Sequence, residues 1–143
     1  MRLYLPTFDL GLKNLKMFKR IHHIAIICVN YETSKDFYVN KLGFEVLAEV
    51  YREERKSYKL DLAVNGVYQI ELFSFPNPTV RPSRPEAAGL RHLAFEVDDV
   101  AAVAKVLNEK DIITEPIRID EFTGKQFTFF ADPDGLPLEI YES

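Results

Sequence analysis

The sequence predicts an α+β fold made of two copies of one β-α-β-β-β unit. Residues 23–30 and residues 92–99 both begin with histidine, continue as an apolar strand pattern and end at polar residues. Each copy is followed by one amphipathic helix pattern and then by three strand patterns. A proline-rich segment, residues 77–87, lies between the copies and suits neither a helix nor a central strand.

A chain of 143 residues is long enough for one domain with a sizeable core. We expect an N-terminal extension at residues 1–18 and one domain over residues 19–143. Within that domain, modules 19–76 and 88–143 flank the linker 77–87. The extension has no small-residue cleavage site, and charges interrupt its apolar stretch, so it resembles neither a secretory signal nor a membrane span.

In the first module, Thr33 and Ser34 predict a helix start, and Gly43 predicts a helix end just beyond Lys41. The Asn-Gly pair at residues 65–66 is a strong hairpin signal. The three strands expected after this helix are residues 45–51, 59–64 and 68–75.

In the second module, Asp98 or Asp99 predicts a cap for a helix over residues 100–110, where apolar residues follow helical spacing. The Asp-Pro-Asp-Gly sequence at residues 132–135 predicts a tight turn. The three strands expected in this module are residues 112–119, 126–130 and 136–141.

Composition narrows the class of function. The net charge of -4 and the pI of about 5.4 give no basic footprint, so we expect no nucleic-acid partner. Cys28 is the one cysteine, which excludes an intrachain disulfide and favours a cytoplasmic location. It stands in an apolar run, so a small buried hydrophobe is a better interpretation than a catalytic thiol.

The repeat also relates acidic residues to the two histidines. Glu71 follows His23 by 48 positions, and Glu139 follows His92 by 47 positions. Both glutamates stand in apolar strand patterns, where an isolated charge is unfavourable and a nearby cation removes the objection. The sequence therefore predicts that these four residues bind one divalent ion, and imidazole with carboxylate suits Ni, Co, Mn, Fe or Zn.

Strand alternation refines this prediction. His23 shares a strand face with Ala25, and His92 shares one with Ala94, so each histidine has a small neighbour beside it. We expect the histidine faces to line a ligand cavity and the opposite faces to form core. By the same alternation, His22 is predicted to point to the other face.

Six short motifs carry a family resemblance. They are residues 23–26 (HIAI), 34–38 (SKDFY), 42–44 (LGF), 70–72 (IEL), 89–95 (GLRHLAF) and 132–139 (DPDGLPLE). Over residues 20–143 they resemble the vicinal oxygen chelate superfamily, and within it the lactoylglutathione lyase, or glyoxalase, branch. The resemblance implies two modules whose mixed sheets form a cup around one metal, and a homodimer with a site that two subunits can share.

The resemblance also implies a reaction. A lyase of this branch takes a hemithioacetal, formed with glutathione or another thiol, through a metal-stabilised ene-diolate while a glutamate moves a proton. By position, Glu139 is the expected base and Glu71 its partner. Arg52, Arg55 and Arg84, together with Lys125, are candidates to bind an anionic end of the substrate; ordinary surface cations are the alternative.

Other functions of this superfamily remain alternatives. Extradiol dioxygenases and fosfomycin-modifying thiol transferases use three protein ligands, so Glu71 weighs against both. Methylmalonyl-CoA epimerase is mechanistically closer but typically has glutamine at the position of Glu71. An antibiotic-sequestering or small-molecule binding module typically lacks the metal ligands altogether.

Overall fold

The computed structural model describes residues 16–143, which contain two four-stranded mixed sheets. The first sheet comprises β1 (Ile24–Cys28), β2 (Glu45–Arg52), β3 (Ser57–Val64) and β4 (Val67–Ser74). The second comprises β5 (Leu93–Val97), β6 (Arg118–Ile119), β7 (Gln126–Ala131) and β8 (Pro137–Glu142).

The two sheets have the same topology. Their strand orders are β1-β4-β3-β2 and β5-β8-β7-β6. In each sheet the first strand pairs in parallel with the last, and the other pairs are antiparallel. The predicted α+β fold of two β-α-β-β-β modules is therefore confirmed. The N-terminal extension expected at residues 1–18 lies mostly outside the described residues.

One helix crosses over in each module. α1 (Tyr31–Lys35) continues into a π-helical turn (Asp36–Lys41), and α2 spans Val100–Glu109. Asp99 caps α2 as expected, accepting a hydrogen bond from Ala102 N at 2.9 Å.

The predicted cap of α1 is wrong. The cap is Asn30, whose Oδ1 accepts from Thr33 N at 3.0 Å, and Thr33 and Ser34 lie inside the helix. The short Asn30 side chain follows β1 closely enough to satisfy a free N–H of the first turn, so the helix begins earlier than predicted.

The strand predicted at residues 112–119 shrinks to Arg118–Ile119. Ile112 is buried and its N–H bonds to Leu107 O at 3.0 Å, so it completes the end of α2. Pro116 has no N–H to offer a sheet. These two constraints leave Arg118 and Ile119 as the register pairs with β7, and Glu115 adds one isolated hydrogen bond from its N–H to Phe129 O at 2.8 Å.

Both sheets contribute to one continuous buried cluster. Leu60, Leu62 and Leu72 from the first sheet and Leu138 from the second are fully buried within it. Each such side chain contributes roughly 1.5–3 kcal/mol relative to exposure. Because each sheet turns its apolar face toward this core, its histidine face points away from it. Between residues 16 and 143, no helix is long and apolar enough to cross a membrane.

A buried hydrogen bond ties the modules together. Tyr38 of the π-helical turn donates from its hydroxyl to Asp132 Oδ2 at 2.7 Å, and Tyr38 is 0% exposed. Asp132 Oδ1 accepts from the backbone N–H groups of Asp134 and Leu136, both at 2.9 Å. The turn at residues 132–135 is therefore held against the first module.

We expect Tyr38→Phe to lower the free energy of unfolding by about 1–3 kcal/mol, because Asp132 Oδ2 loses its donor in a buried site. Urea unfolding followed by circular dichroism measures this change. Tyr51→Phe, at a tyrosine 41% exposed, is the matched control and should stay within about 0.5 kcal/mol of the parent. Equal losses in both variants would contradict a special role for this bond.

Candidate metal centre

The first half-site consists of His23 and Glu71. His23 immediately precedes β1, and Glu71 stands in β4 opposite Ala25 in the parallel register. Both side chains thus lie on one face of the sheet, and His23 Nε2 is 3.3 Å from Glu71 Oε2. The glutamate side chain is only 13% exposed, whereas the imidazole is 38% exposed.

Two further side chains hold Glu71. Tyr68 donates to Glu71 Oε1 at 2.5 Å, and Lys59 Nζ lies 3.0 Å from the same oxygen and 2.5 Å from Asp61. Burial by itself raises the pKa of the Glu71 carboxyl, but these hydrogen bonds and the charge of Lys59 outweigh it. The pKa of Glu71 therefore lies below its ordinary value, which keeps the carboxylate ionised.

His22 does not point away, contrary to the prediction from strand alternation. Its Nδ1 lies 2.8 Å from His23 Nδ1, and its ring meets the Tyr68 ring edge-on at a centroid distance of 5.4 Å. Alternation fails here because β1 begins only at Ile24, so the chain before it is free of the pleat.

The second half-site consists of His92 and Glu139. Glu139 of β8 is opposite Ala94 of β5, and His92 Nε2 lies 3.0 Å from Glu139 Oε2. The Glu139 side chain is 11% exposed. The imidazole packs edge-on against Phe129 at a centroid distance of 5.1 Å. This arrangement repeats the first half-site strand for strand.

The structure brings these residues together as two pairs, not as one group of four. Across residues 16–143, no group of three or more His, Cys, Asp or Glu side chains is arranged to hold a metal ion. Ala25 and Ala94, beside the two histidines, are exposed. The predicted faces are thus open to solvent in a single chain. In kind, however, two imidazoles and two largely buried carboxylates suit a borderline divalent cation.

The predicted anion-binding residues are scattered. Arg52 stacks on Phe73, with its guanidinium carbon 4.8 Å from the ring centroid, while Arg55 is exposed in a short 3₁₀ turn. Lys125 bonds to the backbone oxygen of Ser143. None of these three lines the cleft beside His92.

Arg84 is the exception among the four, since it lines a cleft of about 730 Å³ beside His92. Arg91 and Arg118 line the same cleft and were missed from the sequence. Arg118 is oriented by Phe127 and Phe129, whose ring centroids lie 5.1 and 5.5 Å from its guanidinium carbon. Arg91 could have been predicted from the sequence, because it is adjacent to His92. Arg118 could not, because its position depends on the pairing of β6 with β7.

Comparison with known proteins agrees with this architecture. The uncharacterized protein YwkD of Bacillus subtilis is 67% identical over 126 residues, covering 88% of this chain and 98% of its own. The crystal structure of a glyoxalase family protein from Enterococcus faecalis has 55% identity and a TM-score of 0.81, covering 88% of this chain and 99% of its own. Glyoxylase I 4 of Arabidopsis thaliana is 27% identical, covering 84% of this chain and 68% of its own.

A family model also matches residues 20–140. With its two modules and repeated topology, the chain belongs to the Glyoxalase/Bleomycin resistance protein/Dioxygenase superfamily.

Proposed function

We propose that this protein is a metal-dependent lyase or isomerase of the glyoxalase type. Its substrate would be a hemithioacetal, or a related small molecule with vicinal oxygens, formed with glutathione or another thiol. The observation that carries the proposal is the repeated His–Glu pair, with carboxylates 13% and 11% exposed beside imidazoles on open sheet faces. The similarity to Glyoxylase I 4 supports the same class of reaction.

The proposed site needs two chains. Each module supplies one imidazole and one carboxylate, which is half of a four-ligand set. The histidine faces are exposed, and Ile27 on the first of them is 55% exposed, so a second copy can cover them. In a symmetric homodimer, the first half-site of one chain would join the second half-site of the other, producing two equivalent sites.

His23, Glu71, His92 and Glu139 would hold the divalent metal. When bound, such an ion stabilises negative charge that develops on a substrate oxygen. The protein's own contribution is to orient both imidazoles toward one point and to keep a carboxylate ready for proton transfer.

The two glutamates are assigned different roles. Glu71 accepts from Tyr68 and Lys59, which fix it as an ionised ligand. Glu139 contacts His92, and no lysine, arginine or tyrosine of residues 16–143 lies within hydrogen-bond distance of its carboxylate. A less restrained carboxylate carries a proton more readily from one substrate carbon to the next, so Glu139 is the proposed base.

We also propose a cytoplasmic location. Burial raises the pKa of the Cys28 thiol to about 11, so this residue behaves as core rather than as a redox or catalytic group.

We expect metal-stripped protein, reconstituted separately with Ni, Co, Mn, Fe and Zn, to convert the methylglyoxal–glutathione hemithioacetal. Glu139→Gln should keep most of the metal and lose at least about a hundredfold in rate, because a general base has been removed. Glu109→Gln changes an exposed glutamate at the end of α2 and is the control with unchanged rate. Undiminished turnover in Glu139→Gln would reject the base, and inactivity of metal-loaded parent protein would reject this substrate.

Subunit exchange tests the shared site. His23→Ala and His92→Ala are each expected to bind metal poorly as homodimers. After the two variants are mixed and exchanged, heterodimers contain one intact site, so about one quarter of the parent metal capacity and activity should return. If each site formed within one chain, every site would lack a ligand and mixing would restore nothing.

A further inference from the structure

Because the two modules repeat one topology, the residues around the two half-sites can be compared position by position. Asp61 is the register partner of Glu71 in the first sheet, and Phe129 is the register partner of Glu139 in the second. Across a register shift in β4, Tyr68 pairs with Ala63, and the counterpart position in the second sheet, paired with Ala131, is Pro137, which has no hydroxyl to donate. The ligand pairs match, but only the first is surrounded by polar side chains.

Tyr68 contacts every member of the first half-site. Its hydroxyl donates to Glu71 Oε1 at 2.5 Å, which leaves Oε2 facing His23 Nε2 at 3.3 Å. Its ring lies 5.8 Å from the His23 ring and 5.4 Å from the His22 ring, measured between centroids. One side chain thus restrains both the carboxylate and the imidazole.

His22 restrains the remaining ring nitrogen of His23. The two Nδ1 atoms are 2.8 Å apart, so one ring donates a hydrogen bond to the other. His23 Nε2 faces Glu71, and its other nitrogen is engaged by a neighbour that works as donor or acceptor. This is the arrangement by which an outer partner fixes the orientation of an imidazole, whose Nε2 releases its proton when it binds a metal.

We propose that Tyr68 and His22 are positioning residues that hold His23 and Glu71 in a preformed half-site, while the second half-site adapts when a ligand arrives. The inference rests on the proposed function only in taking His23 and Glu71 as metal ligands. In the second half-site, His92 has the Phe129 ring as its packing partner, and Glu139 has His92. The preformed pair therefore captures the ion, and the second pair completes the site.

Metal affinity tests the proposal. In competition with a chromophoric chelator for Zn, Tyr68→Phe and His22→Leu should each bind about 10- to 100-fold more weakly than the parent, the usual effect of losing an outer-shell partner. His22→Asn should recover most of the affinity, because its amide takes the place of Nδ1. Tyr141→Phe is the matched control: Tyr141 bonds to Asp120 at 3.0 Å on the second sheet, and its loss should leave affinity within about threefold.

A second readout requires no metal. At a pH of about 8.5, above the ordinary imidazole range, ¹⁵N-histidine NMR of the metal-free protein should show His23 in one tautomer, with Nε2–H directed at Glu71. In Tyr68→Phe the Glu71 carboxylate keeps Lys59 but loses the hydroxyl donor that helps to orient Oε2 toward His23, so the spectrum should show a mixture of tautomers although urea unfolding shows the variant folded.

These measurements distinguish a failure of the positioning role from a failure of the proposed function. A tautomer and Zn affinity unchanged in Tyr68→Phe would overturn the positioning role. If the parent bound no metal while the tautomer still depended on Tyr68, the proposed function would fall and the positioning of His23 by Tyr68 would stand. Equal losses of affinity in Tyr68→Phe and Tyr141→Phe would also overturn the proposal, because a specific role for Tyr68 predicts a difference.

Discussion

The parallel pairing of the first and last strand in each module is the constraint on which the candidate site depends. It aligns Ala25 with Glu71 and Ala94 with Glu139, so each glutamate lies beside the histidine that immediately precedes the first strand of its module. A register shift of one residue would turn both carboxylates into the core. The core-facing leucines therefore fix the position of the chemistry, since they tolerate only this register.

The shared core explains why one chain holds two separate pairs. Each sheet turns one apolar face into a shared buried cluster. The opposite faces carry the histidine and glutamate pairs, small alanines and some apolar side chains such as Ile27 and Phe129, and they stay open in a single chain. Partly apolar faces that are left open in this way can be covered by a second copy, and this is the physical basis of the proposed dimer.

Much of this architecture could be predicted from the sequence because the chain repeats its own pattern. The matched spacing of His23 to Glu71 and of His92 to Glu139 predicted both pairs. The wrong predictions arise where a local sequence rule was applied to residues that it does not describe. His22 lies outside the strand whose alternation was applied to it, and Asn30 lay one turn ahead of the cap expected at Thr33.

The cleft arginines show a different limit of sequence reasoning. Arg118 lies in a two-residue strand with almost no pattern of its own, and its place beside Phe127 follows only from pairing with β7. Arg52, by contrast, stacks on the aromatic ring of Phe73 in its own sheet. Charge in the sequence identifies candidates for anion binding, but the fold decides which of them reach the cleft: Arg118 does so through cross-strand pairing, and Arg84 and Arg91 do so from the segment between the two sheets.

Divergence between the modules gives the two half-sites different physical characters. Lys59 and Asp61 surround the first carboxylate, whereas Phe127 and Phe129 occupy the register-matched positions around the second. Charged neighbours hold a carboxylate in one place, and aromatic neighbours exclude water without bonding to it. If the half-sites join, one wall of the cup is polar and fixed, and the other is apolar with a single movable carboxylate. Under the proposed function this combination suits proton transfer, because the base must be mobile while the ion beside it stays in place.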